Sequence, residues 1–127
     1  MGYRSDVRII LPEAKFNALD EKLRAMEYFP GYDVKSVRNE DADAVKRYSP
    51  EREPTRFVYF GWNYIKWYDG EFVNAVESAI YESENYHFMR LGEDYSDIEE
   101  NYQLHDVWVD CISINRYFDD DFTEEEK

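Results

Sequence analysis

The stretch Arg56 to Ile80, RFVYFGWNYIKWYDGEFVNAVESAI, limits the possible folds more than any other. It holds two of the three tryptophans and passes from one hydrophobic period to another. Residues 56–68 are rich in aromatic and β-branched side chains, which suit a pleated, half-buried surface. Alternation puts Phe57, Tyr59, Gly61, Asn63, Ile65 and Trp67 on one face and Val58, Phe60, Trp62, Tyr64, Lys66 and Tyr68 on the other. Both faces are largely apolar or aromatic, which predicts a strand in the middle of a sheet. Gly61 marks a bulge, a bend or a tight turn, and a turn would make two short strands. Asp69 offers an N-cap oxygen and Glu71 a negative charge in the first turn of a helix. Phe72, Val73, Val76 and Ile80 then recur at helical spacing.

The chain before this stretch predicts another strand and helix. VRIIL places Val7, Ile9 and Leu11 on one strand face. Pro12 suits the first turn of a helix that runs to about Glu27, with Phe16, Leu19, Leu23 and Met26 as its apolar stripe. Pro30-Gly31 breaks the chain. Within 32–55, Asp33 to Val37 suits a short strand and Asp41 to Tyr48 a turn or two of helix. Pro50 and Pro54 bracket a charged loop.

After the central helix, Tyr86 to Leu91 reads as a strand. Phe88 and Arg90 alternate there with Met89 and Leu91, and Gly92 ends it. An acidic loop, GEDYSDIEENY, follows. A last strand is expected over Val107 to Phe118. The tail 119–127 carries six acids and reads as a disordered appendage to a domain spanning 1–118. The order predicts an α+β domain, a mostly antiparallel sheet of about four or five strands with two helices on one face. A ferredoxin-like, split βαβ arrangement is one candidate.

The 127 residues suit one domain with a real core. A net charge of −14 disfavours nucleic acid and anionic membranes as direct partners, and favours a basic partner or simple solubility. The N-terminus has no apolar signal region, and no apolar run is long enough to span a membrane, so a soluble, cytoplasmic protein is expected. The single cysteine, Cys111, excludes an intrachain disulfide and reads as a small core side chain.

No catalytic motif stands out, and none implies a cofactor or a metal. Glu93, Asp94, Asp97, Glu99 and Glu100 bring the oxygen ligands that Ca²⁺ and Mg²⁺ prefer, but without the spacing of an EF-hand. A solvated loop with Asp94 or Asp97 capping a turn accounts for them better. Spread over one face, and joined by Glu40, Asp41, Asp43, Glu51 and Glu53, they would imitate the phosphates of a duplex. Glu93 with Asp97 is a candidate acid–base pair. Cys111 with His105 is a weak nucleophilic pair, because an acidic chain raises a thiol pKa. Arg4–Asp6 and Arg90–Asp94 are candidate ion pairs. Trp62, Tyr64 and Tyr68 are the aromatic candidates for a protein-binding surface, while Trp67 is expected in the core.

GYRSDV at 2–7, KWYD at 66–69, RLGEDYSDIE at 90–99 and SINR at 113–116 resemble a family of small acidic proteins of tailed bacteriophages and prophages. The resemblance spans most of the chain apart from 32–55 and the tail. It implies a phage accessory protein acting in the host cell. Such proteins often bind and inhibit a host enzyme or a defence complex, CRISPR effectors included. The expectation is therefore a non-enzymatic inhibitor of a host protein with a basic surface. A carboxylate- or metal-dependent enzyme and a virion assembly component are the alternatives.

Overall fold

The computed structural model describes residues 3–68, 70–94, 96–104 and 107, with the backbone of 113–114 and 118–119. In chain order the elements are β1 (Ser5–Pro12), α1 (Glu13–Arg24), β2 (Val34–Asn39), α2 (Ala42–Tyr48), β3 (Arg56–Ile65), α3 (Glu71–Glu82), β4 (Tyr86–Gly92), β5 (Ile98–Gln103), β6 (Ser113–Ile114) and β7 (Phe118–Asp119). The main sheet has the order β2-β3-β1-β4-β5, with every neighbouring pair antiparallel. β3 lies between the parallel β1 and β2, and β1 lies between the parallel β3 and β4. These are two interleaved split βαβ units, the ferredoxin-like arrangement, extended by β5.

The expected central strand is β3, and both of its faces are buried. Across β1 and β3, Val7 opposes Trp62, Ile9 opposes Phe60 and Leu11 opposes Val58. These residues meet Phe16, Leu19 and Leu23 of α1 and Ala75, Val76 and Ile80 of α3 in one apolar cluster. On the far face Ile10, Phe57, Tyr59, Met89 and Leu91 form a second cluster, with Val34 and Val107 packed against it. Both helix stripes therefore fall where the 3.6-residue period places them.

β3 carries the expected irregularity, but at Asn63–Tyr64 rather than at Gly61. Val7 pairs with Trp62, but Ser5 pairs with Ile65, so two steps along β1 match three along β3. The extra residue is a bulge. Tyr64 absorbs it with a left-handed backbone, φ 57°, and Ile65 returns to the helix-side cluster. Beside the bulge, the buried Arg8 supplies donors to two backbone carbonyls. Its Nη1 donates to Val7 O at 2.9 Å and Trp62 O at 3.0 Å, and its Nη2 to Asn63 Oδ1 at 2.6 Å. Gly61 serves a different need: a Cβ there would collide with the Val7 carbonyl of the neighbouring strand.

Several expectations are corrected. Pro12 ends β1 rather than opening the helix, and α1 stops at Arg24. The turn or two of helix expected over Asp41 to Tyr48 does form, as α2, a third helix beside the two longer ones, and Asp41 caps it by accepting from Asp43 N and Ala44 N. Part of the acidic loop is the strand β5. Its sequence, IEENYQ, puts Glu99, Asn101 and Gln103 on one face and Glu100 between Ile98 and Tyr102 on the other, and charge on an edge strand discourages further pairing. The expected strand ending at Phe118 is not continuous: Ser113–Ile114 pairs antiparallel with Phe118–Asp119, so the chain reverses between them. The strand β7 also runs one residue past the expected boundary at 118. Asp69, His105, Cys111 and the tail from 120 lie outside the described residues.

Candidate binding site

The bulge decides which aromatics reach the surface. Trp62 precedes it and is a core residue, 1% exposed, with Nε1 donating to Gly31 O. Of the three aromatic candidates it is the one that is not presented. Tyr64 and Tyr68 are, at 69% and 49% exposed. Tyr28, which sequence reasoning did not single out, joins them at 65%. It follows the end of α1, beyond the apolar stripe, where no periodicity points to it. Trp67 packs against the core, with its ring 5.8 Å from those of Trp62 and Phe72.

A cleft of about 330 Å³ opens at the bulge, lined by Arg4, Tyr28, Asp33, Asn63, Tyr64 and Lys66 among others, with Trp62 at its base. A second of about 280 Å³ shares Tyr28 and Lys66 and adds Tyr68 and Phe72. Polar bonds hold the left-handed turn. Asp6 Oδ1 accepts from Tyr64 N at 2.7 Å, and Asp33 Oδ2 accepts from Asn63 N at 2.8 Å. Arg4 Nη1 donates to Tyr64 O at 3.4 Å, and the guanidinium lies 5.0 Å from the centre of the Tyr64 ring. The expected Arg4–Asp6 pair is absent among the described residues: both residues hold Tyr64 instead.

The five acids of the 93–100 segment do not share a face. Arg90 gathers two of them, with Nη2 2.9 Å from Asp97 Oδ1 and Nε 3.0 Å from Glu99 Oε1. Asp97 and Glu99, rather than Asp94, are therefore its partners. Partial burial works against the Arg90 charge, yet hydrogen bonds to Asp97 and Glu99 hold its pKa above the ordinary value. Glu100 points to the other face of β5 and reaches the buried His87, Nε2 to Oε2 2.6 Å. Burial lowers the His87 pKa, with Glu100 pulling the other way.

The N-terminal segment ties this loop down. Tyr3 donates to Asp97 Oδ2 at 2.7 Å and accepts from Asp94 N at 2.9 Å, while Arg4 N donates to Glu93 Oε2. The Asp94 N–H favours the Tyr3 phenolate, but desolvation and the Asp97 carboxylate outweigh it and raise the phenol pKa. Tyr68 joins the same clasp, with Oη donating to Tyr3 O at 2.9 Å. Glu93 and Asp97 are thus each engaged separately rather than as an acid–base couple.

Of the other acids, Glu40 is buried against Arg52 and Asp41 caps α2, while Asp43, Glu51 and Glu53 are exposed. Among the described residues, no group of three or more His, Cys, Asp or Glu side chains is placed to hold a metal ion. No helix among them is long and apolar enough to cross a membrane. No family model, curated protein or solved structure matches the chain.

Proposed function

We propose that this protein is a non-enzymatic binding module, a phage accessory protein that engages and inhibits a host or defence-system protein through the tyrosine-rimmed cleft. CRISPR effectors are one such target class, and the host cytoplasm is where the encounter takes place. The observation that carries the reading is Tyr64. A large aromatic in a left-handed conformation is disfavoured, and glycine or asparagine would serve the bulge better. The chain keeps the ring there, holds its backbone with Asp6 and Arg4, and leaves the ring exposed beside Tyr28 and Lys66. Strain of this kind points to use. Exposed tyrosines on a rigid turn are effective interface anchors, since they lose little entropy on contact.

The carboxylates of the 93–100 segment have partners within the chain, so the proposal gives them no direct contact energy. The overall charge of −14 still attracts a basic partner at long range. Parallel capture from host lysate with the parent and Tyr64→Gly tests the reading, followed by binding of the recovered protein in purified form. Glycine tolerates the left-handed backbone, so the variant should melt at or above the parent temperature. It should bind about 30-fold more weakly, the loss expected for one aromatic anchor. Unchanged affinity in both Tyr64→Gly and Tyr28→Ala would remove the cleft from the interface.

A further inference from the structure

We propose that the cleft is a carboxylate-binding site, and that what it takes is an Asp or Glu side chain from a segment of the partner protein. The inference rests on the binding-module reading and adds the chemistry of the contact. The chain has 29 acidic side chains against 15 Lys and Arg, so cations gathered in one cleft stand out against its overall charge. Arg24, Arg52, Arg56 and Arg90 are each ion-paired. Arg4 and Lys66 are not paired among the described residues, and both line the same cleft.

Arg4 is also held in place. One guanidinium nitrogen is committed to Tyr64 O and the group lies against the Tyr64 ring. That leaves most of its five N–H donors unused, in the fork geometry that suits a carboxylate. Asp33 lies in the cleft as well, with Oδ2 accepting from Asn63 N. Arg4, Lys66 and Asp33 give the lining a sum of +1 against −14 for the chain, while the nearby Asp6 and Glu93 are committed to the Tyr64 and Arg4 backbone N–H groups. Tyr28 and Tyr64 add hydroxyl donors at its rim. A volume of about 330 Å³ is near the lower limit for a small-ligand pocket, and suits one acidic side chain better than a whole strand. A partner with a basic surface and one acidic anchor would satisfy both the long-range field and the cleft.

The test uses two blocked peptides, acetyl-Gly-Glu-Glu-Gly-amide and its Gln-Gln counterpart, titrated to millimolar concentration against the ¹⁵N-labelled full chain. The glutamate peptide should give saturable shifts at the Asn63, Tyr64 and Lys66 amides, and the glutamine peptide should not. Lys66→Glu should weaken those shifts about tenfold without moving the melting temperature, since Lys66 is exposed. Equal response to the two peptides, no response at the cleft, or full binding by Lys66→Glu each overturns the proposal. With the captured partner, binding that survives Lys66→Glu but is lost in Tyr64→Gly would discard the carboxylate and keep the tyrosine interface. Binding that survives both substitutions would discard both readings.

Discussion

Tyr3 Oη lies 2.7 Å from Asp97 Oδ2, and that bond passes over Gly92, where a Cβ would collide with both atoms. Two ends of the chain's alphabet of contacts meet here, an N-terminal phenol and a turn carboxylate 94 positions later, because β1 and β4 are neighbours in the sheet. Gly92 is therefore retained for close approach rather than for a special backbone angle.

The two close-approach glycines should respond differently to alanine. In Gly92→Ala the obstacles are side-chain ends, Asp97 Oδ2 and Tyr3 Oη, which can swing aside. The cost is the lost hydrogen bond and some repacking, about 1–2 kcal/mol, or roughly 4–8 °C in melting temperature. In Gly61→Ala the obstacle is the Val7 backbone, in the middle of the β1–β3 ladder. Overpacking that a strand must absorb costs about 3 kcal/mol or more. Thermal melts of the two variants check the order. A Gly61→Ala protein as stable as Gly92→Ala would show that the two strands are not in such close contact.

The helices and the central strands were legible because each has one dominant period. Leu19 and Leu23, Val73, Val76 and Ile80 are buried where the spacing puts them. The far face of the sheet was legible in β3, whose two faces are both apolar. β5 was not, since Glu99, Glu100 and Asn101 carry no strand signal, and pairing with β4 alone extends them. The bulge could be foreseen as an irregularity but not placed, because Gly61 drew attention and Tyr64 is a residue the left-handed region disfavours. The site divided in the same way. Burial of Trp62 continues the alternation that buries Phe60 on the helix side, whereas exposure of Tyr64 depends on the register slip, and recruitment of Tyr28 on the path of the chain after α1, which no periodicity encodes.

The helix faces themselves make a sharp prediction. Leu23 and Val76 are both fully buried, and both belong to the cluster between helices and sheet. Leu23→Asp and Val76→Asp would each place an unpaired carboxylate in that layer, a cost of several kcal/mol against a total of about 5–15. Neither variant should give a cooperative melt near the parent temperature in circular dichroism. Retention of one would reverse the assignment of the helix face concerned.

A buried ion pair helps to hold the connection between β2 and β3. The Glu40 side chain is fully buried, and it accepts from Arg52 Nη1 at 2.7 Å, Arg52 Nη2 at 3.0 Å and Thr55 N at 2.9 Å. Removing Arg52 takes a bidentate cation from a buried carboxylate. Breaking such a pair typically costs 3–5 kcal/mol, and the one-third exposure of Arg52 reduces this to about 2 kcal/mol. Arg52→Ala should lower the urea midpoint accordingly. It should also make the 49–54 segment the first site of limited proteolysis. An unchanged cleavage pattern would mean that the pair does not hold the loop.

His87 should give the fold a dependence on mild acid. Its imidazole is buried, Nε2 is bonded to Glu100, and Nδ1 is buried with no hydrogen-bond partner. Burial lowers its pKa below the ordinary 6.5, so the folded chain keeps the ring neutral where the unfolded chain would protonate it. Below about pH 6.5 the unfolded state therefore binds more protons, and unfolding becomes easier as pH falls. The stability that His87 contributes is complete above pH 6.5 and declines from there down through the folded pKa. One group can change stability by at most about 1.4 kcal/mol per pH unit. Glu100 favours the charged ring and so moderates the slope. Urea unfolding of the parent and His87→Gln between pH 7.5 and 5.5 isolates the effect, since the other titrating groups are common to both. The parent should lose more stability than the variant over that interval. Parallel curves would show that the ring titrates alike in the folded and unfolded chain, and that the β4–β5 pairing carries no pH sensitivity from this site.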